Sequence, residues 1–542
     1  MSSTSKSTKI DRRSFLGGTA AAGALLGSAQ AWAGTGKSGS AGPVVETKAG
    51  KLRGVALEKC VAFKGASYGA STAGAGRFMP PRKLEPWTGV KDALELGARS
   101  PQNASGLIPE VDAVDRKEPI REDCLHLNVW TPSLGSSHKR PVMFWLHGGG
   151  FTSGSGGFAI YDGTNLASRH DVVVVTVNHR LNVFGYLYLA GIGGAKYADA
   201  SNVGMLDIIQ ALEWVRDNIA EFGGDPNNVT IFGQSGGGAK VSTLLAMPGA
   251  QGLFHRAVIE SGASLRGIPV EAANKSTEAV LAKLGLKSNQ LDELQKMPMD
   301  QLLHGISGGG LMGNPAFRFA PVVDGKTLTA NPFDPTAPEM SAGVPLLIGS
   351  TQTEVTFFPG QLLDPIDEAT MRQHVKQTLR AGDAETDKVI AAYKKIDPKI
   401  SNIDLYLEVA SDSFAMVNAV TAAERKAALG KAPVFMYYFK WRSPVRDGKL
   451  KAMHCMEIPF VFDNVDGGKP MTGDGQDRYA LASKISGAWV AFARSGNPSQ
   501  KGLHWPSYDA TKRATMILND KCEVVDDPRR DVRLTLESVR RA

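Results

Sequence analysis

The stretch NVTIFGQSGGGAKVSTLLAM, Asn228 to Met247, decides the fold. It opens on the apolar run Val229–Phe232 and closes on Ala239–Met247, a segment suited to a helix. Between them stands Gly233-Gln234-Ser235-Gly236-Gly237. A G-x-S-x-G pentapeptide alone is a weak signal in a chain with 60 glycines. Between a strand and a helix it is much stronger, because the sharp turn lifts the central hydroxyl clear of the sheet. A Cβ at either flanking glycine would collide with neighbouring backbone. The helix N-terminus that follows favours developing negative charge. The competing reading is a structural glycine turn with an idle serine.

Working outward, similar runs recur at Val142–Leu146, Val172–Val177, Ala257–Ile259, Val344–Ile348 and Val434–Phe439. Nearly continuous apolar runs of this length suit strands covered on both faces, as in a parallel sheet. Between the second run and the serine, Ile208, Leu212, Val215, Ile219 and Phe222 follow 4-3-4-3 spacing. That spacing is one stripe of a helix, and Gly223 is placed to end it. Strand, helix, strand implies a right-handed crossover. The earlier stretch from Val44 to Gly65 alternates more and contains a glycine turn. It reads as an antiparallel entry to the sheet. Residues from about 270 to 312 and from 360 to 430 read as helices packed over one end. No linker-like shift in composition interrupts 46–542, so one large α/β domain is expected there.

The strand VMFWL runs into His147-Gly148-Gly149-Gly150-Phe151. A triple glycine after a strand exposes backbone N–H groups with no side chain in the way. Acyl transfer needs two or three such donors on its oxyanion, each worth about 3–4 kcal/mol. Gly149 and Gly150 are the candidates, with the amide of Gly236 as the third. A phosphate loop is excluded because no Gly-Lys-Ser/Thr follows. The glycines of Ser307–Gly310 follow no strand and read as a flexible loop, and His147 reads as structural.

The chain has 542 residues, 42% of them hydrophobic and 21% charged. Those proportions exclude a disordered or collagen-like chain. Its formal charge is +7; residues 1–33 supply +3 of this (Lys6, Lys9, Arg12 and Arg13 against Asp11), leaving +4. So small a surplus, with no basic stripe, argues against nucleic acid as a partner. DRRSFLGG at Asp11, the uncharged stretch that follows and Ala31-Trp32-Ala33 resemble a bacterial twin-arginine export signal, with a flexible leader at 34–45. An uncleaved membrane anchor is the rival; the Gly/Ala-rich stretch favours hydrocarbon only weakly. Cleavage would give a periplasmic or secreted protein with no membrane contact. Cys60, Cys124, Cys455 and Cys522 form no CxxC pair, so a structural zinc site is not expected.

Taken in order, FKGASYG at Phe63, RFMPPRKLEPWTGVKDA at Arg77, EDCLHLNVW at Glu122, WLHGGGF at Trp145 and NHRLNVFGYL at Asn178 form a series. EFGGDPNNVTIFGQSGGG at Glu221, FHRAVIESG at Phe254, APVVDG at Ala320, HCMEIPFVF at His454 and WVAFARSGNPS at Trp489 continue it. The chain thereby resembles the type-B carboxylesterases, the family of cholinesterases and bacterial para-nitrobenzyl esterases, over nearly all of 46–542. The resemblance implies an α/β-hydrolase fold: a mixed, mostly parallel sheet with helices on both faces and helical insertions over the site.

A serine hydroxyl needs an imidazole to take its proton and an acid to orient that imidazole, in chain order Ser, acid, His for this fold. The resemblance places the base at His454, before Glu457-Ile458-Pro459-Phe460, and the acid at Glu354, after VPLLIG. Asp324 in PVVDG is the competing carboxylate and reads as structural. Gln234 stands where the family usually has Glu, which removes a negative charge that would attract cationic alcohols. Gly236 replaces the commoner Ala, and Cys455 stands where Gly is usual. Cys124 matches one half of the family's early disulfide, but Ser100-Pro101-Gln102 lacks the other, leaving Cys60 as a substitute partner or Cys124 as a free thiol.

The expected reaction is hydrolysis of a carboxylic ester through an acyl-enzyme on Ser235, with a small-molecule ester as partner and neither metal nor organic cofactor. Phe151, Phe357, Phe358 and Trp441 are candidates for an apolar pocket wall, with core packing as the alternative for each. A non-catalytic binding protein, or an amide or carbamate hydrolase with the same machinery, are the rival functions.

Overall fold

The computed structural model describes residues 42–541 apart from 104–106, 136–137 and 307–316. The expected signal, its cleavage site and the glycines of 307–310 lie outside the described residues.

An eleven-stranded sheet carries the fold. Its strands are β1 (Val55–Ala56), β2 (Val61–Ser67), β3 (His126–Thr131), β4 (Arg140–Leu146), β5 (Val173–Val177), β6 (Gly224–Gln234), β7 (Arg256–Glu260), β8 (Leu346–Thr351), β9 (Val434–Phe439), β10 (Ala514–Leu518) and β11 (Glu523–Asp526). They lie in the order β11-β10-β9-β8-β7-β6-β4-β5-β3-β2-β1. The seven from β10 to β5 pair in parallel, and antiparallel strands close both edges. The sheet is mixed and mostly parallel, the α/β-hydrolase arrangement.

The parallel strands are apolar throughout because both faces are covered. In β4, Val142, Phe144 and Leu146 enter one core while Met143 and Trp145 enter the other, and all five are fully buried. Each such side chain contributes about 2–3 kcal/mol relative to leaving it in water. On the first face pack α1 (Val203–Asn218) and α2 (Gly236–Leu244), through residues such as Ile208, Leu212 and Val241. The other face is covered by α5 (Asp477–Ser495), through Leu481, Ile485 and Trp489. The stripe Ile208–Phe222 is buried at all five positions; a 3₁₀ turn carries its end, and Gly223 stops it at φ +80°.

Two expectations change. The run at Val344 starts two residues later, since Pro345 has no N–H to give the ladder. The antiparallel entry is split. Val44–Glu46 and Lys51–Arg53 join Val90–Asp92 in a separate three-stranded sheet, and only Val55–Ala56 and Val61–Ser67 reach the main one. The segments after 270 and 360 are helical, among them α3 (Asn402–Ser411) and α4 (Val417–Ala428), joined by a π-turn at Asp412–Met416. A last helix, α6 (Arg530–Arg541), ends the described chain. All four cysteines are free thiols. Cys60 and Cys124 pack in different cores, on opposite faces of the sheet, so Cys60 is not the substitute partner.

Candidate active site

Ser235 sits between β6 and α2 with φ +57° and ψ −123°. A non-glycine residue at positive φ is strained and persists only where its surroundings hold it. Here its N–H donates to Glu260 O at 2.8 Å, and its carbonyl accepts from Ala239 N at 3.0 Å. A Cβ on Gly262 would lie 2.0 Å from that carbonyl, and one on Gly237 would lie 1.9 Å from Leu146 O. The turn is therefore clamped by strands on both sides.

The loop after β4 passes directly over this turn. Gly149 and Gly150 have φ +87° and +61°. The Gly149 carbonyl accepts from Thr152 N and Ser153 N. Among the described residues, no protein acceptor takes the N–H of Gly149, Gly150 or Gly236. His147, at the loop's start, is buried and donates from Nδ1 to Gly148 O at 2.8 Å. Burial pushes its pKa down to about 3, so it is a neutral packing residue stacked on His179.

Glu354 opens a 3₁₀ turn just after β8, and His454 lies in the loop after β9. His454 Nδ1 is 2.5 Å from Glu354 Oε2. Glu354 Oε1 accepts from Thr351 N at 2.8 Å, and Glu354 is fully buried. Gln234 Nε2 stands 3.2 Å from each ring nitrogen of His454. Among the described residues, no hydrogen bond joins the imidazole to Ser235 Oγ. Ser235, His454, Gly148, Gly149 and Gln234 all line one cavity of about 510 Å³. Glu354 lies behind the imidazole, outside that lining.

Asp324 is a turn residue: it accepts from Ser201, Thr327 and the amides of 326–328. Of the expected wall residues, Phe357 lines the 510 Å³ cavity and Phe151 lines a second one, of about 660 Å³, which also touches Ser235. Phe358 stacks on the His454 ring at 6.2 Å. Trp441 lines neither; it is buried against Phe460 with Nε1 on Asp477. The sequence reading missed Phe158, Ile160 and Tyr161 on the first cavity and Phe414 on the second. Phe414 leaves the π-turn and meets the His454 ring at 5.6 Å. A π-turn inserted in a helix is frequently a functional feature, but nothing in the local sequence announces it.

Residues 41–535 match the Carboxylesterase family as a whole. The para-nitrobenzyl esterase of Bacillus subtilis is 36% identical, covering 91% of this chain and 98% of its own. The phenmedipham hydrolase of Pseudarthrobacter oxydans is 33% identical over 90% of this chain and 97% of its own. A Geobacillus stearothermophilus carboxylesterase structure superposes with a TM-score of 0.78 at 37% identity, covering 91% and 99%. With the α/β-hydrolase sheet and a serine raised at its carboxyl edge, these likenesses make the chain a member of the carboxylesterase family, the serine ester hydrolases.

Proposed function

We propose that Ser235, His454 and Glu354 form the catalytic triad of this ester hydrolase and that the amides of Gly149, Gly150 and Gly236 bind its oxyanion. The observation that carries the reading is the 2.5 Å contact between Glu354 Oε2 and His454 Nδ1, at a cavity that also holds the strained Ser235. Glu354 fixes the tautomer with Nδ1 protonated, which leaves Nε2 as the base. The amide of Gln234 lies against the imidazole. With substrate seated, Nε2 takes the Ser235 proton as Oγ attacks the carbonyl; such contacts tighten only in the loaded complex. Charge then develops on the carbonyl oxygen beside three unclaimed N–H groups, those of Gly149 and Gly150 in the loop after β4 and that of Gly236 at the start of α2. His454 protonates the leaving alcohol, and water repeats the steps on the acyl-enzyme.

Ser235 lines both cavities, so the two halves of an ester extend to opposite sides of it. The lining of the first cavity by Leu107, Val111, Phe158 and Ile160 favours an apolar half. Small aryl or alkyl esters, or a bulkier natural-product ester, fit that description. The phenmedipham hydrolase among the relatives supports a second reading, carbamate cleavage by the same groups, and phenmedipham is its probe. Residues 1–33 are proposed to direct export to the periplasm or beyond, followed by cleavage after Ala33. No helix of the described residues is long and apolar enough to cross a membrane. Intact mass of the exported protein tests the cleavage.

The triad is tested by Ser235→Ala with p-nitrophenyl acetate and by an organophosphate probe. Loss of turnover and labelling confined to Ser235 are expected. Full turnover by a folded Ser235→Ala variant refutes the assignment.

A further inference from the structure

Lys240 is fully buried, one helical turn after Gly236 on α2. Helical side chains lean back toward the helix N-terminus, so a lysine at this spacing reaches the loop that packs on Gly236. Its Nζ donates to His147 O at 3.1 Å and to Gly150 O at 2.7 Å. Those carbonyls bracket the loop His147–Gly150, whose inner amides form the proposed oxyanion cradle. The ammonium also lies 5.2 Å from the centroid of the Phe151 ring. Among the described residues it meets no carboxylate. His147 and His179, which feel its charge, are buried and held neutral first by desolvation and then by the lysine itself.

A buried ammonium without a counterion is costly, and proteins rarely keep one without a use. Burial pushes Lys240 down to about 7. The carbonyls and the aromatic face offset part of the cost. No carboxylate among the described residues answers this charge, and the proposed reaction makes an anion next to the same loop.

We propose that Lys240 is a positioning residue for ester cleavage: it straps the two ends of the oxyanion loop together, and its charge is answered only by the oxyanion of the tetrahedral intermediate. The proposal rests on the Ser235 reading above. It predicts differential binding, since the ground-state ester brings no full charge and gains little from the lysine.

The test is Lys240→Met, which keeps length and apolar volume but removes charge and donors. In a folded variant, kcat for p-nitrophenyl acetate should fall at least tenfold with KM within about twofold. Affinity for an aryl trifluoromethyl ketone, which forms a tetrahedral adduct on the serine, should fall by a similar factor. Product inhibition by p-nitrophenol should not move. Unchanged kcat and ketone affinity, or a loss confined to KM, overturns the proposal. If Lys240→Met does not fold, Lys240→Gln, a neutral donor, replaces it under the same criteria. Ser235→Ala run in parallel separates the two claims: if it stays active the triad reading fails, whereas an inactive Ser235→Ala beside a fully active Lys240→Met sinks only the role of the lysine.

Discussion

A methyl group on Gly236 would lie 2.2 Å from the carbonyl oxygen of Gly150 and 2.4 Å from that residue's N and Cα. The helix that follows Ser235 and the glycine loop are in backbone-to-backbone contact, closer than any side chain permits. Alanine, the commoner residue here in the family, would have to push the loop away. Gly236→Ala should therefore lower kcat/KM by about a hundred- to a thousandfold, the scale of losing one aligned donor. Its cost in stability should be about 1–3 kcal/mol, as for overpacking. Steady-state rates and denaturant midpoints check both, and wild-type rates would mean that the loop gives way freely.

Under the proposed reading, Ser235, His454 and Glu354 act as a unit. Ser235→Ala and His454→Ala should each cost about a thousandfold or more in kcat, and the double variant little beyond either single one. Glu354→Gln should be less damaging than either. Additive losses in the double variant would show that the two residues work independently.

Gln234 touches both nitrogens of His454 without bringing a charge. Gln234→Glu should raise kcat/KM for acetylthiocholine relative to neutral p-nitrophenyl acetate by several-fold, because a nearby carboxylate attracts the cationic alcohol. The gain should shrink with added salt. A ratio that does not move would place the cationic group far from residue 234.

Phe414 is 43% exposed and leans on the rings of Phe358 and His454. Phe414→Ala should leave stability within about 1 kcal/mol, as for an exposed position. It should also shift preference toward bulkier esters. A rate series over acyl chain length reads this out; an unchanged profile would remove Phe414 from the selectivity wall.

Glu260 is fully buried with Oε1 on Trp489 Nε1 at 2.7 Å, and burial pushes it up to about 8. Its neighbour Glu457 is pushed up as well, first by burial and then by the charge of Glu260. An unfolded glutamate titrates near 4.5. Between that value and about 8 the native state holds a proton the unfolded chain has released, so stability falls as pH rises through this window. Glu260→Gln should flatten the fall, by at most about 1.4 kcal/mol per pH unit. Urea midpoints from pH 5 to 9 decide it, and parallel curves for both proteins would count against a protonated Glu260.

The serine turn and the glycine loop were legible because both are local backbone demands, written as glycines at fixed offsets from a strand. The parallel sheet was legible from uninterrupted runs such as Val434–Phe439, whose ends match the strand. Glu354 and His454 were not legible from their own surroundings: 100 positions separate them, and only resemblance to a family pointed there. Trp441 stayed open between pocket wall and core because an indole near His454 looks the same in sequence whether it faces a ligand or Phe460, and the structure gives core packing. Phe158, Tyr161 and Phe414 were missed because their role depends on loops folding back over the sheet. The small N-terminal sheet was missed because alternation gives strands but not their partners.

The two cavities meet at Ser235 and share no other lining residue. Under the proposed reading, recognition of the acid and recognition of the alcohol are thus written in separate sets of side chains. Selection can rewrite one vocabulary while the other, and the chemistry at the partition, stays as it is. Laboratory evolution of this scaffold should therefore proceed as two nearly independent searches.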